Sequence, residues 1–153
     1  MPPLPDRPTF YVDHCAGKAV VRALRDAGAN VEHHSDHFAQ DEEDEVWIPS
    51  VAARGWVILT KDKNIRRRGG ERETVLTSSA RIITLSSSSM RGSEMCALLV
   101  AHLDDMERLV ATQSPPFVAI LGPGGLQVVL TKEVVLTKAP SEPGGEDTSA
   151  PLE

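Results

Sequence analysis

Three aspartates of this 153-residue chain, Asp13, Asp44 and Asp62, stand where side chains could do chemistry. Asp13 ends the short β-prone run Phe10-Tyr11-Val12, and Asp62 follows the apolar run Trp56-Val57-Ile58-Leu59-Thr60 with only Lys61 between. Asp44 stands at or just before the start of a helical stretch, Val46 to Arg54. In a parallel sheet the strand carboxyl ends and the amino ends of the following helices open on one edge. All three carboxylates therefore point to that edge, whatever the strand order. Crowded carboxylates repel unless a cation compensates them, and an oxygen-only donor set suits Mg2+ or Mn2+ rather than zinc. A cation so held activates water and offsets charge on a phosphodiester. Each aspartate alone reads as a helix cap or a turn residue. Their joint placement is what points to a metal site.

A basic segment adjoins the third acid. Residues 61–68 carry five bases, Lys61, Lys63, Arg66, Arg67 and Arg68, against one acid, Asp62. Alone such a run is a solvated loop, but beside an acidic metal site it offers contacts to a phosphate backbone. The net charge of −6 taken alone argues against a nucleic-acid partner, yet residues 139–153 hold four acids and no base. A further six acids fall within residues 36–45. Charge segregation, rather than its sum, is the informative quantity. Aromatic residues make up only 4% of the chain, which argues against a stacking platform for single-stranded nucleic acid.

Other chemistries fit less well. His14, Cys15, His33, His34 and His37 could supply zinc ligands, with His33 and His37 four apart, but that segment reads as strand passing into loop. No second Cys/His pair stands at ligand spacing. Gly122-Pro123-Gly124-Gly125 lacks the Lys-Ser/Thr of a phosphate loop and reads as a turn. The serine run Ser86 to Ser89 has no positioned base near it in sequence.

The elements that must position the acids can be read from periodicity. Gly17 to Ala27 places Val20, Ala23, Leu24 and Ala27 on one helical face, and Gly28 closes it. Asn30 to His33 is a second strand. The helix from Val46 closes at Gly55, with Pro49 awkward inside it, so it starts late or bends. Trp56 to Thr60 is continuously apolar, as a strand covered on both faces would be. A short helix around Glu71 to Ser78 and a strand from Arg81 to Leu85 follow. One long helix, 93–113, carries Met95, Leu99, His102, Leu103 and Met106 on a stripe. Phe117 to Leu121 and Leu126 to Leu130 flank the Gly-Pro turn as a hairpin. Alternating strands and helices predict a three-layer α/β fold with a mainly parallel central sheet and a C-terminal β-hairpin.

The length suits one domain, and at 41% hydrophobic residues it can bury a core without disulfides. Two cysteines without a CxxC read as reduced thiols, the N-terminus lacks a secretory pattern, and no apolar run spans a bilayer. The expectation is a soluble, cytoplasmic protein with a lead-in at residues 1–8, a domain at 9–137 and a disordered acidic tail at 138–153.

These residues resemble the PIN-like domains, in particular the small VapC-like branch of toxin–antitoxin ribonucleases. The resemblance runs over about residues 9–130. It is carried by FYVD ending in Asp13, Gly17 opening the helix, LRDAG at 24–28, DEVW from Asp44, and RGWVILTKDKNIRRR from Arg54 to Arg68. It implies metal-dependent hydrolysis of RNA that leaves a 5′-phosphate, with Asp13, Asp44 and Asp62 as the metal-binding, catalytic acids. It also implies an antitoxin protein covering the acidic edge and a homodimer, formed through the 93–113 helix. Two positions depart from the pattern. Asn64 stands where a further acid is expected, with Glu71 as a substitute, and His14 and Cys15 follow the first acid.

Two other readings compete. A phospho-receiver-like signalling module also ends strands one and three in acids, but it wants paired acids where Asp13 is followed by His14. A PIN-like binding scaffold without activity is the other, and Asn64 is its argument.

Overall fold

The computed structural model describes residues 7–13, 17–39, 42–61, 69–86 and 91–131. Most of the 1–8 lead-in, and the 138–153 tail, lie outside the described residues. The strands are β1 (Thr9–Val12), β2 (Asn30–His33), β3 (Val57–Thr60), β4 (Arg81–Leu85), β5 (Phe117–Gly122) and β6 (Gly125–Thr131). The helices are α1 (Lys18–Asp26), α2 (Asp44–Ala53), α3 (Gly69–Ser78), α4 (Gly92–Ala101) and α5 (Leu103–Thr112). A single 3-10 turn, His34–Asp36, follows β2. The strands form one sheet in the order β2-β1-β3-β4-β5-β6, parallel throughout except for the β5–β6 hairpin. This is the expected α/β architecture, hairpin included.

Strand alternation sends neighbouring side chains to opposite faces, and two cores result. Phe10 and Val12 of β1, with Val57 and Leu59 of β3, meet Val20 and Leu24 of α1, Met95 and Leu99 of α4, and Met106 of α5. Tyr11 and Ile58, one residue out of phase, meet Trp47, Ile48 and Val51 of α2 and Val75 of α3. Helices thus cover both faces, and β3 is buried at every position, as its unbroken apolar run requires.

Two glycines fix where helices stop and strands begin. Gly28 at φ 97° and Gly55 at φ 76° occupy the left-handed region just past α1 and α2. In each case the chain folds back, Ala29 N–H donating to the Leu24 carbonyl and Trp56 N–H to that of Val51.

Pro49 stands inside α2, which starts at Asp44 rather than at Val46. A proline in a helix interior costs about 3 kcal/mol. Burying Trp47, Ile48 and Val51 almost completely contributes roughly 1.5–3 kcal/mol each, so burial wins. The predicted 93–113 helix is two helices, α4 and α5, separated at His102, whose backbone leaves the helical region. No proline or glycine marks the break. The His102 imidazole instead lies 3.0 Å from Asp105 Oδ2 and closes the first turn of α5. No helix among the described residues is long and apolar enough to cross a membrane.

Candidate active site

The strand order reverses direction at β1. The chain goes from β1 outward to β2, then returns to the other side of β1 for β3. In open α/β sheets the crevice beyond the carboxyl ends at such a reversal is where ligands bind. Asp13 lies there, one residue past β1, with its N–H donating to the Leu59 carbonyl of β3 at 3.0 Å. Its alternation phase matches that of Tyr11, so its carboxylate faces the α2 side. Thr60 of β3 shares that phase with Ile58, and its hydroxyl donates to Asp13 Oδ2 at 2.8 Å. Asp13 is 5% exposed and Thr60 2%, so this is a sheltered, charge-assisted hydrogen bond.

Asp44 is the first residue of α2, where the helix dipole favours a carboxylate. Trp47, one turn on, donates its indole N–H to Asp44 Oδ1 at 2.9 Å. The same indole stacks on Tyr11 with ring centres 5.4 Å apart. Tyr11 is two residues before Asp13. A short line of contacts, Asp44 to Trp47 to Tyr11, thereby ties the helix acid to the strand that carries the other acid.

Behind this line lies a buried polar pair. The His34 Nε2 sits 3.0 Å from the Ala39 carbonyl, which can only accept, so that nitrogen carries the proton. The Tyr11 hydroxyl accordingly donates to His34 Nδ1. Burial, and then the negative charge of Asp13, push the Tyr11 phenol far above its ordinary value. Tyr11 therefore keeps its proton and its place.

Sequence reasoning singled out neither Thr60 nor Trp47. Both were legible in part: Thr60 by its phase with Ile58, and Trp47 by its three-residue spacing from Asp44 on a helix. Thr84 of β4 pairs with Thr60 in register, and its hydroxyl is buried with no hydrogen-bond partner among the described residues. The polar rim thus continues one strand further than the sequence suggested.

Of the expected site residues, Asp13 and Asp44 stand on the α2 side of the sheet edge, and Lys61 follows Thr60 directly at the end of β3. Asp62, Lys63, Arg66, Arg67 and Arg68 lie outside the described residues, as do His14, Cys15, Asn64 and the side chain of Glu71. Among the described residues no three His, Cys, Asp or Glu side chains gather at metal-binding spacing. The acids that are described offer oxygen donors alone, a set that fits a hard cation such as Mg2+ or Mn2+. His33, His34 and His37 turn instead to protein partners, to Ser35, Tyr11 and Glu32 in that order.

A mainly parallel α/β domain with an acid fixed at the strand-order reversal is the frame on which the comparisons fall. Residues 8–87 match the family described as "PIN like domain", and the chain belongs to that family. The match takes in the positions of Asp13, Asp44 and Asp62. A protein of Mycobacterium tuberculosis (strain ATCC 25618 / H37Rv), "Putative ribonuclease VapC45", is 34% identical over 133 residues. That alignment covers 83% of this chain and 95% of the relative. No solved structure gives a significant match.

Proposed function

We propose that this protein is a Mg2+- or Mn2+-dependent endoribonuclease and the toxin of a toxin–antitoxin pair, acting in the cytoplasm. The observation that carries the reading is Asp13, held by Thr60 at the β1/β3 reversal, on the same side as Asp44 heading α2. Asp13, Asp44 and Asp62 would hold the cation, which supplies an activated water and offsets charge on the phosphodiester. The protein's own part is positional. The Thr60 hydroxyl fixes one Asp13 oxygen, and burial restricts the rest of the carboxylate. The Trp47 indole fixes one Asp44 oxygen in the same way. Lys61, Lys63, Arg66, Arg67 and Arg68 would grip the RNA backbone beside the acids, where the electrostatic contribution dominates affinity. An antitoxin protein would cover this edge, and a second copy of the chain would complete a homodimer.

The relative's name supports the nuclease reading over a non-catalytic scaffold, and the family match supports it over a receiver module. The strand order alone does not choose, because receivers share the β1/β3 reversal.

The test is cleavage of a mixed RNA pool with Mn2+ or Mg2+, comparing wild type with Asp13→Asn, Asp44→Asn and Asp62→Asn. Each variant should lose about 10²–10³-fold in rate, the scale for removing a preorganised charge-stabilising group. Equal cleavage by all four proteins, or cleavage that survives EDTA, would overturn the site.

A further inference from the structure

A second concave site lies on the other face of the same sheet edge. It is an open cleft of about 370 Å3 between α1, the end of β2 and the 3-10 turn, within the size range of small-ligand sites. Lys18, Arg22 and Arg25 line it from α1 at i, i+4 and i+7, one helical face. His33 and Ser35 line it from the opposite wall. Asp26 and Asp36 also border it, so three bases face two acids.

The state of these groups is what points to a ligand. Among the described residues neither Lys18 nor Arg22 forms an ion pair. Arg25 is held in place by donating from Nη2 to the Val31 carbonyl at 2.8 Å, which leaves the rest of its guanidinium to the cleft. His33 is 8% exposed, and its Nε2 is buried with no hydrogen-bond partner among the described residues. Its Nδ1 accepts from the Ser35 backbone N–H and lies 2.6 Å from the Ser35 hydroxyl. With Nδ1 committed as acceptor, a neutral ring carries its proton on Nε2. Burial lowers the His33 pKa and favours that neutral ring. Among the described residues, a buried donor without an acceptor thus stands in the wall of a cleft with two unpaired cations. The start of α1 adds to this, for its first turn holds no acid and opens with Lys18 instead.

We propose that this cleft binds a phosphate of the RNA chain next to the one that is cut. The inference rests on the ribonuclease reading and extends its substrate site to the α1 face. Register supports the location: Val12 of β1 pairs with His33 of β2, and Asp13 is the residue after Val12. A single strand crossing the carboxyl edge from the acids over β1 and β2 arrives at the cleft. The Lys18 ammonium and the Arg22 guanidinium meet it there, and His33, whose buried Nε2 lacks a partner among the described residues, lines the wall opposite them. They recognise phosphate oxygens and no base, so the contact is independent of sequence.

The experiment measures binding of a short labelled single-stranded RNA to the full chain in EDTA, by fluorescence anisotropy across a range of salt. Wild type is compared with the double variant Lys18→Gln/Arg22→Gln, whose two positions are exposed on α1, and a thermal melt checks folding. The double variant should bind several-fold more weakly for every sequence tried, and its salt slope should be shallower by about 0.7–1. In parallel, the His33 Nε2–H resonance of wild type should shift when RNA is added. Equal affinity with an equal slope overturns the cleft, even where metal-dependent cleavage still needs Asp13 and the ribonuclease reading survives. Weakened binding by the double variant, with no cleavage by wild type, overturns the ribonuclease reading and leaves the cleft standing. A poly-glutamate peptide that binds wild type more tightly than RNA at the same salt assigns the cleft to an acidic protein partner and overturns the proposal.

Discussion

At the carboxyl edge of the sheet, the face under α2 and the face under α1 are finished in opposite ways. Under α2 most of the polar groups are tied to one another, Asp13 to Thr60, Asp44 to Trp47, Tyr11 to His34 and His34 to Ala39, with the Thr84 hydroxyl the exception among the described residues. Under α1, Lys18 and Arg22 stand without ion pairs among the described residues, and His33 keeps a buried nitrogen with nothing to donate to. The first face is preorganised, with oxygens already aimed before anything binds. The second is arranged to be completed by something else. Two histidines adjacent in sequence, His33 and His34, carry this contrast, because one faces each side.

The contrast can be broken most severely at Thr60. Thr60→Val keeps the shape but removes a hydrogen bond to a carboxylate, worth about 1.5–3 kcal/mol, so cleavage should fall by roughly 10- to 100-fold. Thr60→Ser restores the hydroxyl and should recover most of the rate, which initial-rate assays on one RNA would show. A Thr60→Val enzyme as fast as wild type would mean that the tie to Asp13 has no catalytic consequence.

Tyr11→Phe probes the same face through stability. It takes the phenol proton from His34 Nδ1 in a buried setting, at a cost of about 1–3 kcal/mol. The denaturant midpoint should drop with the m-value unchanged. The matched change on the other face, His33→Gln, loses the Nδ1 ties to Ser35 but no partner of Nε2, so it should cost less, about 0.5–1.5 kcal/mol.

The smallest effect is in pH. Burial lowers the pKa of folded His33, so below its unfolded value, near 6.5, the unfolded chain takes up a proton that the folded chain resists. Stability from this group is therefore present above that pH and is lost as pH falls through it. His33→Gln should flatten this part of the stability profile, measured as melting temperature between about pH 7 and pH 5. A wild-type profile that rises on acidification in this window would reverse the sign.

Much of the frame was legible in the sequence. The unbroken apolar run before Lys61 marked β3, and the alternation of strand and helix patterns gave the parallel sheet. Gly28 and Gly55 marked the ends of α1 and α2. The acids Asp13 and Asp44 could be placed because strand ends and helix starts are local properties. What was not legible is what the fold brings together from afar. The Thr60 bond to Asp13 spans two strands, and the cleft joins an α1 face to the end of β2. The Lys18, Arg22 and Arg25 spacing was visible, but without His33 opposite it reads as a solvated helix face. The break at His102 had no proline or glycine to announce it.

The hairpin limits what can pair with the outer margin of the sheet. Between Val118 and Ala119 of β5 the pairing with β6 slips, so that Val129 is an extra residue on the outer strand. Such a bulge bends a strand and interrupts the row of free backbone groups that a foreign strand would need. At the opposite margin β2 offers only four residues, too short a ladder to recruit a neighbour firmly. Both margins of the sheet are thus poor templates for zipping one molecule onto the next. A homodimer of this chain would therefore form through the helical faces, where side chains rather than main chain choose the partner.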